Sequence, residues 1–283
     1  MLLEPIQSTN DDFGAVLTGL DLRQPPAAET FDFIADALAR YAVVGIRHQP
    51  LEDDQQIDLA ERFGPVHQSI LDESRRRLKD RRFNDVGNLD VAGNLKSADT
   101  KGYGDANLLW HTDLSFLARP ARVTLLSARV LPPQPPATEY ADMRAAWDAL
   151  PTTRQAELES LQVEHSVLVQ RAKCGFSNFT DEERQKAPPV VHPLVRRHPV
   201  TGRRSLYLSS SASHIVGRPL EEGRALLEEL TAFATQPRFM LAYQWQPFDL
   251  LLWDGSCTMH RATPFESTEH RRELRWTAVV EAA

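Results

Sequence analysis

The chain has 283 residues, 42% of them hydrophobic and 25% charged, with a formal net charge of −7. That length and apolar content suffice for a sizeable core, and without a low-complexity linker they predict one domain over residues 1–283. The acidic balance excludes a chain-wide electrostatic footprint for nucleic acid, no apolar run has membrane-spanning length, and two cysteines, Cys174 and Cys257, give no disulfide framework. Residues 1–10 lack a basic segment followed by an apolar core, so a cytoplasmic protein with small-molecule partners is expected, its oligomeric state, homo-oligomer included, left open.

Residues 15–22 alternate well enough for a strand interrupted at Gly19. Over residues 30–41, Phe31, Ile34, Leu38 and Tyr41 recur at helical spacing, and residues 43–46 follow as a short buried strand. Asp53 or Asp54 is expected to cap a helix that turns Ile57, Leu59, Ala60 and Phe63 inward and ends at Gly64. Residues 68–105 are charged and weakly periodic, with a strand near 83–89 and then a long loop expected to serve as a substrate lid. Residues 108–116 and 123–131 read as strands, the second closed by Pro132, Pro133, Pro135 and Pro136. Asp142 caps a helix over 143–150, a second helix covers 153–161, and 170–189 read as a polar loop. Residues 192–195 and 205–209 pair around a turn at Gly202; a helix over 219–234 and strands over 239–245, 249–253 and 272–280 complete the chain. Many short strands with helices placed first or inserted predict an α+β fold, a double-stranded β-helix of jelly-roll, cupin-like type with flanking helices.

His111 and Asp113 stand two residues apart in the apolar run 108–116, so a strand there projects both from one face. With His260 they are candidates for the 2-His-1-carboxylate facial triad of a non-haem Fe(II) oxygenase, which leaves three positions of an octahedral ion open. The bland alternatives are a core or surface histidine at 260 and a strand-end cap at Asp113. In a final strand, Arg271 and Arg275 share a face and Arg272 turns to the other; two inward arginines would each need an anion, whereas an outward basic face would need none. A zinc hydrolase is conceivable from two histidines and an aspartate, but it gives paired arginines no role and offers no evident general base.

The His-Thr-Asp segment at 111–113, the Trp-Asp-x-x-Cys-Thr-Met-His segment at 253–260 and the arginine-rich last strand resemble the taurine dioxygenase and 2,4-dichlorophenoxyacetate dioxygenase family of Fe(II)/2-oxoglutarate enzymes. The likeness runs from residues 19–23 through Phe63 and Gly64 to Ala278, and residues 126–130, 141–146 and 205–210 are closest to the aryloxyacetate branch. This resemblance implies that His111, Asp113 and His260 are iron ligands. It implies that Arg271, eleven residues beyond His260, salt-bridges the distal carboxylate of 2-oxoglutarate, that Thr138 hydrogen-bonds the same cosubstrate, and that Trp253 lines its pocket. Arg275 matches the arginine that holds the acidic group of the primary substrate, and Asn107 matches a substrate-facing asparagine. The implied reaction uses Fe(II), 2-oxoglutarate and dioxygen, with ascorbate as a stimulant, to hydroxylate the carbon beside the ether oxygen of an aryloxyacetic acid. The product collapses to a phenol and glyoxylate, leaving succinate and CO2.

There are departures from the family pattern. Ser69 and Asp72 stand where taurine-type enzymes carry a histidine and a tyrosine, and Ser211, with His214 nearby, stands where aryloxyacetate enzymes carry a histidine. The same chemistry on an alkyl sulfonate, alkyl sulfate or other organic acid is the nearest alternative, and a non-catalytic metal-binding sensor is the alternative from another class. Lys96 is a candidate second charge for the acid pocket or a solvated lysine. His165, His192 and His198 are expected to satisfy local hydrogen bonds, and His48 and His67 to line the pocket mouth.

Overall fold

A computed structural model describes residues 1–6, 10–69, 76–96, 103–175, 180–265 and 268–282. In chain order come β1 (Leu2–Pro5), β2 (Ala15–Thr18), α1 (Ala28–Tyr41), β3 (Val43–Ile46), α2 (Asp53–Phe63), β4 (Asn84–Asp85) and a 3-10 helix (Tyr103–Leu108). Then follow β5 (Ala121–Val130), β6 (Thr138–Asp142), α3 (Met143–Asp148), α4 (Thr152–Leu158), β7 (Gln162–His165), α5 (Val167–Lys173) and α6 (Asp181–Lys186). The last third holds β8 (Val190–Pro193), β9 (Val195–Arg197), β10 (Arg204–Leu206), β11 (Ala212–Ile215), α7 (Leu220–Ala234), β12 (Met240–Tyr243), β13 (Leu250–Asp254), β14 (Thr258–Ala262) and β15 (Glu273–Val280).

A seven-stranded sheet in the order β1-β2-β3-β13-β5-β15-β4 faces a three-stranded sheet, β12-β6-β14. Alternation along each strand sorts side chains into three cores. Leu126 and Ala128 of β5, Leu251 and Trp253 of β13, and Leu274, Trp276 and Ala278 of β15 meet Tyr140, Leu241 and Tyr243 between the two sheets. The opposite phase, Val123, Leu125, Leu250, Leu252 and Val279, packs under α1 and α2. On the far side of the smaller sheet, Ala141 and Met259 pack with α3, α7 and the β7 to β11 region. The result is the expected α+β arrangement of sheets facing each other with helices outside.

Several local expectations change. The cap of α2 is Glu52, in a reciprocal capping box with Gln55, rather than Asp53 or Asp54, because Glu52 is the last extended residue before the helix. Asp142 does cap α3, accepting from the backbone N–H groups of Arg144 and Ala145. The strand expected near 83–89 shrinks to two residues, and part of the 170–189 stretch is helical in α5 and α6. Around Gly202 the pair is β9 with β10, while His192 sits in β8 against β7. The 108–116 run is no strand. It is the end of the 3-10 helix, then an isolated bridge between His111 and His260, then a turn.

Candidate active site

His111 is fixed to β14 by two backbone hydrogen bonds, His111 N–H to the His260 carbonyl (3.0 Å) and His260 N–H to the His111 carbonyl (2.9 Å). Its neighbour Thr112 turns the other way, donating its hydroxyl to the carbonyls of Leu208 (2.9 Å) and Thr258 (3.2 Å). Period-two alternation thus holds for three residues although no strand continues, and Asp113 returns to the side of His111. Immediately afterwards Leu114 adopts a left-handed φ of 52° and reverses the chain. That conformation costs a leucine about 1–2 kcal/mol. Burying the same side chain in the inter-sheet core contributes about 1.5–3 kcal/mol, so packing sustains the turn.

His260 lies on the inward phase of β14 because Met259, beside it, is taken by the outer core. The three side chains converge: Asp113 Oδ1 is 3.8 Å from His111 Nε2 and 3.7 Å from His260 Nε2. One ligand atom from each residue lies within 4.8 Å of the others, close enough for one ion to touch all three. His111 Nδ1 is 2.7 Å from the Leu109 carbonyl, which selects the tautomer with Nδ1–H and leaves an Nε2 lone pair facing inward. Burial, with His111 alongside, pushes the His260 pKa down to about 3, so its imidazole is neutral at pH 7 and available as a donor. Asp113 Oδ2 is occupied by the Thr124 hydroxyl (2.9 Å) and more loosely by the Trp276 indole N–H (3.4 Å), which turns Oδ1 toward the histidines. Two imidazoles and one carboxylate, all buried, with His111 and Asp113 hydrogen-bonded from behind, suit a divalent ion with coordination positions to spare.

The last strand corrects the expected arginine assignments. Arg271 and Arg275 do share a face, but it is the outer one. The Arg271 side chain is 56% exposed and bonds Glu273 at 3.0 Å. Arg275 faces Asp53, Asp85 and Glu273 at 3.6–3.8 Å. Arg272 is the inward residue, in phase with Leu274, Trp276 and Ala278; it is buried, 5.5 Å from the Phe265 ring, and among the described residues its Nε finds no hydrogen-bond partner. Burial pushes this guanidinium down, to about 10, so it remains charged at neutral pH. A buried cation without a carboxylate is costly and calls for an anion. Two hydrogen bonds to Asn88 hold the segment: Arg272 N–H donates to the side-chain Oδ1 (2.8 Å), and Asn88 N–H donates to the Arg272 carbonyl (3.3 Å). At Gly87 a Cβ would stand 2.3 Å from that carbonyl, so only glycine permits the approach.

Thr138 opens β6 on the same inward phase as Tyr140; it is buried and accepts the Trp245 indole N–H at 3.0 Å, leaving its own proton to donate. Trp253 tilts against His260, 4.8 Å between centroids, and its Nε1 has no hydrogen-bond partner among the described residues. Asn107 is half-buried on the 3-10 helix four residues before His111, with no role fixed by its contacts. Ser69 is buried, Asp72 lies outside the described residues, and Lys96 is exposed, so it brings no buried charge. His67 meets the Trp276 ring edge-on at 6.3 Å, whereas His48 lines an open surface groove of about 530 Å³ with Arg47 and Tyr243. Ser211 bonds the hydroxyl of Ser115 (2.7 Å) and Nδ1 of buried His165 (3.1 Å), bracing the turn after Asp113.

Sequence reasoning missed Arg272, Thr124 and Trp276. The signal was present in the alternation of Leu274, Trp276 and Ala278, which fixes the inward phase of β15 and carries Arg272 with it. A second buried cluster, His198, Asp254 and Cys257, is a hydrogen-bonded brace. His198 Nδ1 accepts from the N–H groups of Val200 and Thr201, and Nε2 donates to Asp254 at 2.8 Å. Burial pushes the Cys257 thiol well up, so it stays protonated and is a poor ligand.

A family model described as "Taurine catabolism dioxygenase TauD, TfdA family" matches residues 3–277. The chain is 41% identical over 246 residues to the alpha-ketoglutarate-dependent 2,4-dichlorophenoxyacetate dioxygenase of a Burkholderia sp., covering 86% of this chain and 82% of the relative. It is 38% identical over 275 residues to the protein of the same name from Cupriavidus pinatubonensis, covering 96% of each. Among solved structures, AAD-2 in complex with Mn(II) and N-oxalylglycine matches with a TM-score of 0.90 and 38% identity, over 100% of this chain and 99% of that one.

Proposed function

Since the chain belongs to the TauD, TfdA family and is a 2-oxoglutarate-dependent dioxygenase, we propose that it uses Fe(II) to hydroxylate the carbon beside the ether oxygen of an aryloxyalkanoic acid. The product of such a step on an aryloxyacetate is a hemiacetal that collapses to a phenol and glyoxylate, while 2-oxoglutarate becomes succinate and CO2. The observation that carries this reading is the conjunction of a three-ligand cluster with one buried guanidinium, that of Arg272 just before β15, which meets no carboxylate among the described residues. A metal lined on one side only and a cation awaiting an anion together suit a chelating keto acid with a distal carboxylate.

His111 Nε2, Asp113 Oδ1 and His260 Nε2 would hold the iron, while the Thr124 hydroxyl donates to Oδ2 of the aspartate. When bound, the metal supplies dioxygen activation coupled to oxidation of the keto acid. Arg272 takes the distal carboxylate, and the free hydroxyl proton of Thr138 is available to the same anion. Trp253, itself buried, packs its ring beside His260. Their common task is placement, because a small error at the reacting carbon costs orders of magnitude in rate. The relatives' activity on 2,4-dichlorophenoxyacetate supports the aryloxy class. The reading further takes the protein as a cytoplasmic enzyme stimulated by ascorbate.

The test is oxygen uptake by the purified protein with Fe(II), ascorbate and 2-oxoglutarate, comparing phenoxyacetate with taurine and following phenol release. Uptake with stoichiometric phenol from phenoxyacetate alone is expected, and Asp113→Ala should abolish it. Uptake with taurine and no phenol from phenoxyacetate would refute the aryloxy assignment.

A further inference from the structure

The β15 residue beside the candidate ligands is the indole of Trp276, while Arg275, which the resemblance assigned to the substrate's acid, lies among Asp53, Asp85 and Glu273. Trp276 is buried, and its Nε1 lies 3.4 Å from Asp113 Oδ2, so this side chain stands next to the metal-holding carboxylate. His67 meets it edge-on, with planes at 80°. Burial lowers the His67 pKa, so the partner ring is neutral at pH 7. Partly exposed Val86 and Phe116 pack against the same inter-sheet core. Arg275 cannot reach this space: it sits on the outer phase with Asp53, Asp85 and Glu273, and turning it inward would turn Leu274, Trp276 and Ala278 out. The inward phase of β15 carries no charge of its own, and Arg272, just before the strand, is on the reading above neutralised by 2-oxoglutarate.

We propose that Trp276 determines specificity: the aromatic part of the substrate packs against this indole beside the metal, and because β15 offers the substrate's acid no guanidinium, aromatic ethers are accepted with little regard for a carboxylate. The inference rests on the aryloxy reading and narrows it, since an acid held by arginine and an arene held by an indole select different molecules. An aromatic surface supplies apolar area and ring stacking, both indifferent to the charge of a distant substituent. A guanidinium would instead reward the carboxylate, by about tenfold or more in affinity.

The experiment is anaerobic calorimetric titration of phenoxyacetate and of its neutral isostere phenoxyacetamide into the full chain loaded with Mn(II) and 2-oxoglutarate. We expect the two dissociation constants to agree within about threefold for the wild type and for Trp276→Phe, which keeps a ring. In Trp276→Arg the acid should gain a preference of about tenfold or more. A wild-type preference for the acid of about tenfold or more, or a Trp276→Arg protein with the wild-type ratio, would overturn the indole assignment while leaving the aryloxy reading intact. Binding of neither compound by protein that still takes up metal and 2-oxoglutarate would overturn both. Should Trp276→Arg fail to fold, the wild-type ratio by itself decides.

Discussion

At Asp113 one carboxylate has two jobs for its two oxygens. Oδ1 faces the histidines, while Oδ2 accepts from Thr124, whose hydroxyl is fully buried on the inward phase of β5. Removing that donor without changing shape leaves Oδ2 free to swing and compete for the ion. Thr124→Val is therefore expected to weaken metal binding about tenfold, the usual size of such supporting contacts, while the far-UV spectrum stays that of the wild type. Titration with Mn(II) checks this, and an unchanged affinity would show that Trp276 alone orients the carboxylate. The convergence of His111, Asp113 and His260 was legible in the sequence, because the late histidine and the arginines after it added to the His-x-Asp spacing. Its supports were not, since Thr124 is eleven residues from Asp113 and nothing in sequence marks a buried threonine as a donor to a particular oxygen.

The elements show where period-two reasoning succeeds and where it needs an anchor. In β14, Met259 and His260 divide between two cores, and either residue fixes the phase of the strand. In β15 the phase is fixed by Leu274, Trp276 and Ala278; starting from the arginines instead assigns the right alternation to the wrong face. At 108–116 apolar content suggested a strand, but a 3-10 helix and the left-handed Leu114 leave only the His111 bridge. The junction of β6 and α3 depends on a buried ion pair in a similar way. Asp142 accepts from the Arg144 side chain at 2.9 and 3.1 Å, from two backbone N–H groups and from Asn10. Arg144 also donates to the carbonyls of Arg40 and Asp12, so the pair ties β6 to α1 and the segment before it. Asp142→Ala strands a buried guanidinium and is expected to cost about 3–5 kcal/mol, read as a lower urea midpoint. A loss under about 1 kcal/mol would mean that the remaining carbonyls satisfy Arg144.

For the whole molecule, several imidazoles are held in neutral form by burial, and they contribute to the loss of stability in acid. Burial pushes His165 down to about 3 and lowers His192 and His67. A histidine depressed from its ordinary value near 6.5 binds its proton in the unfolded chain first. Stability is then full above about pH 6.5 and falls as the pH drops toward the folded-state values. His165→Gln, which cannot charge, should flatten that decline between about pH 6.5 and pH 4 in urea titrations at stepped pH; an unchanged slope would place the proton uptake elsewhere. Metal and cosubstrate act on the same global equilibrium, because a ligand that binds only the folded chain raises its melting temperature. The most direct measurement is thermal unfolding of the wild type, Arg271→Met and Arg272→Met, each alone, with Mn(II), and with Mn(II) plus 2-oxoglutarate. The site described here predicts that all three gain stability from metal, that the wild type and Arg271→Met gain a further increment from 2-oxoglutarate, and that Arg272→Met loses that second increment. Loss of the 2-oxoglutarate increment in Arg271→Met, with Arg272→Met behaving as the wild type, would contradict it.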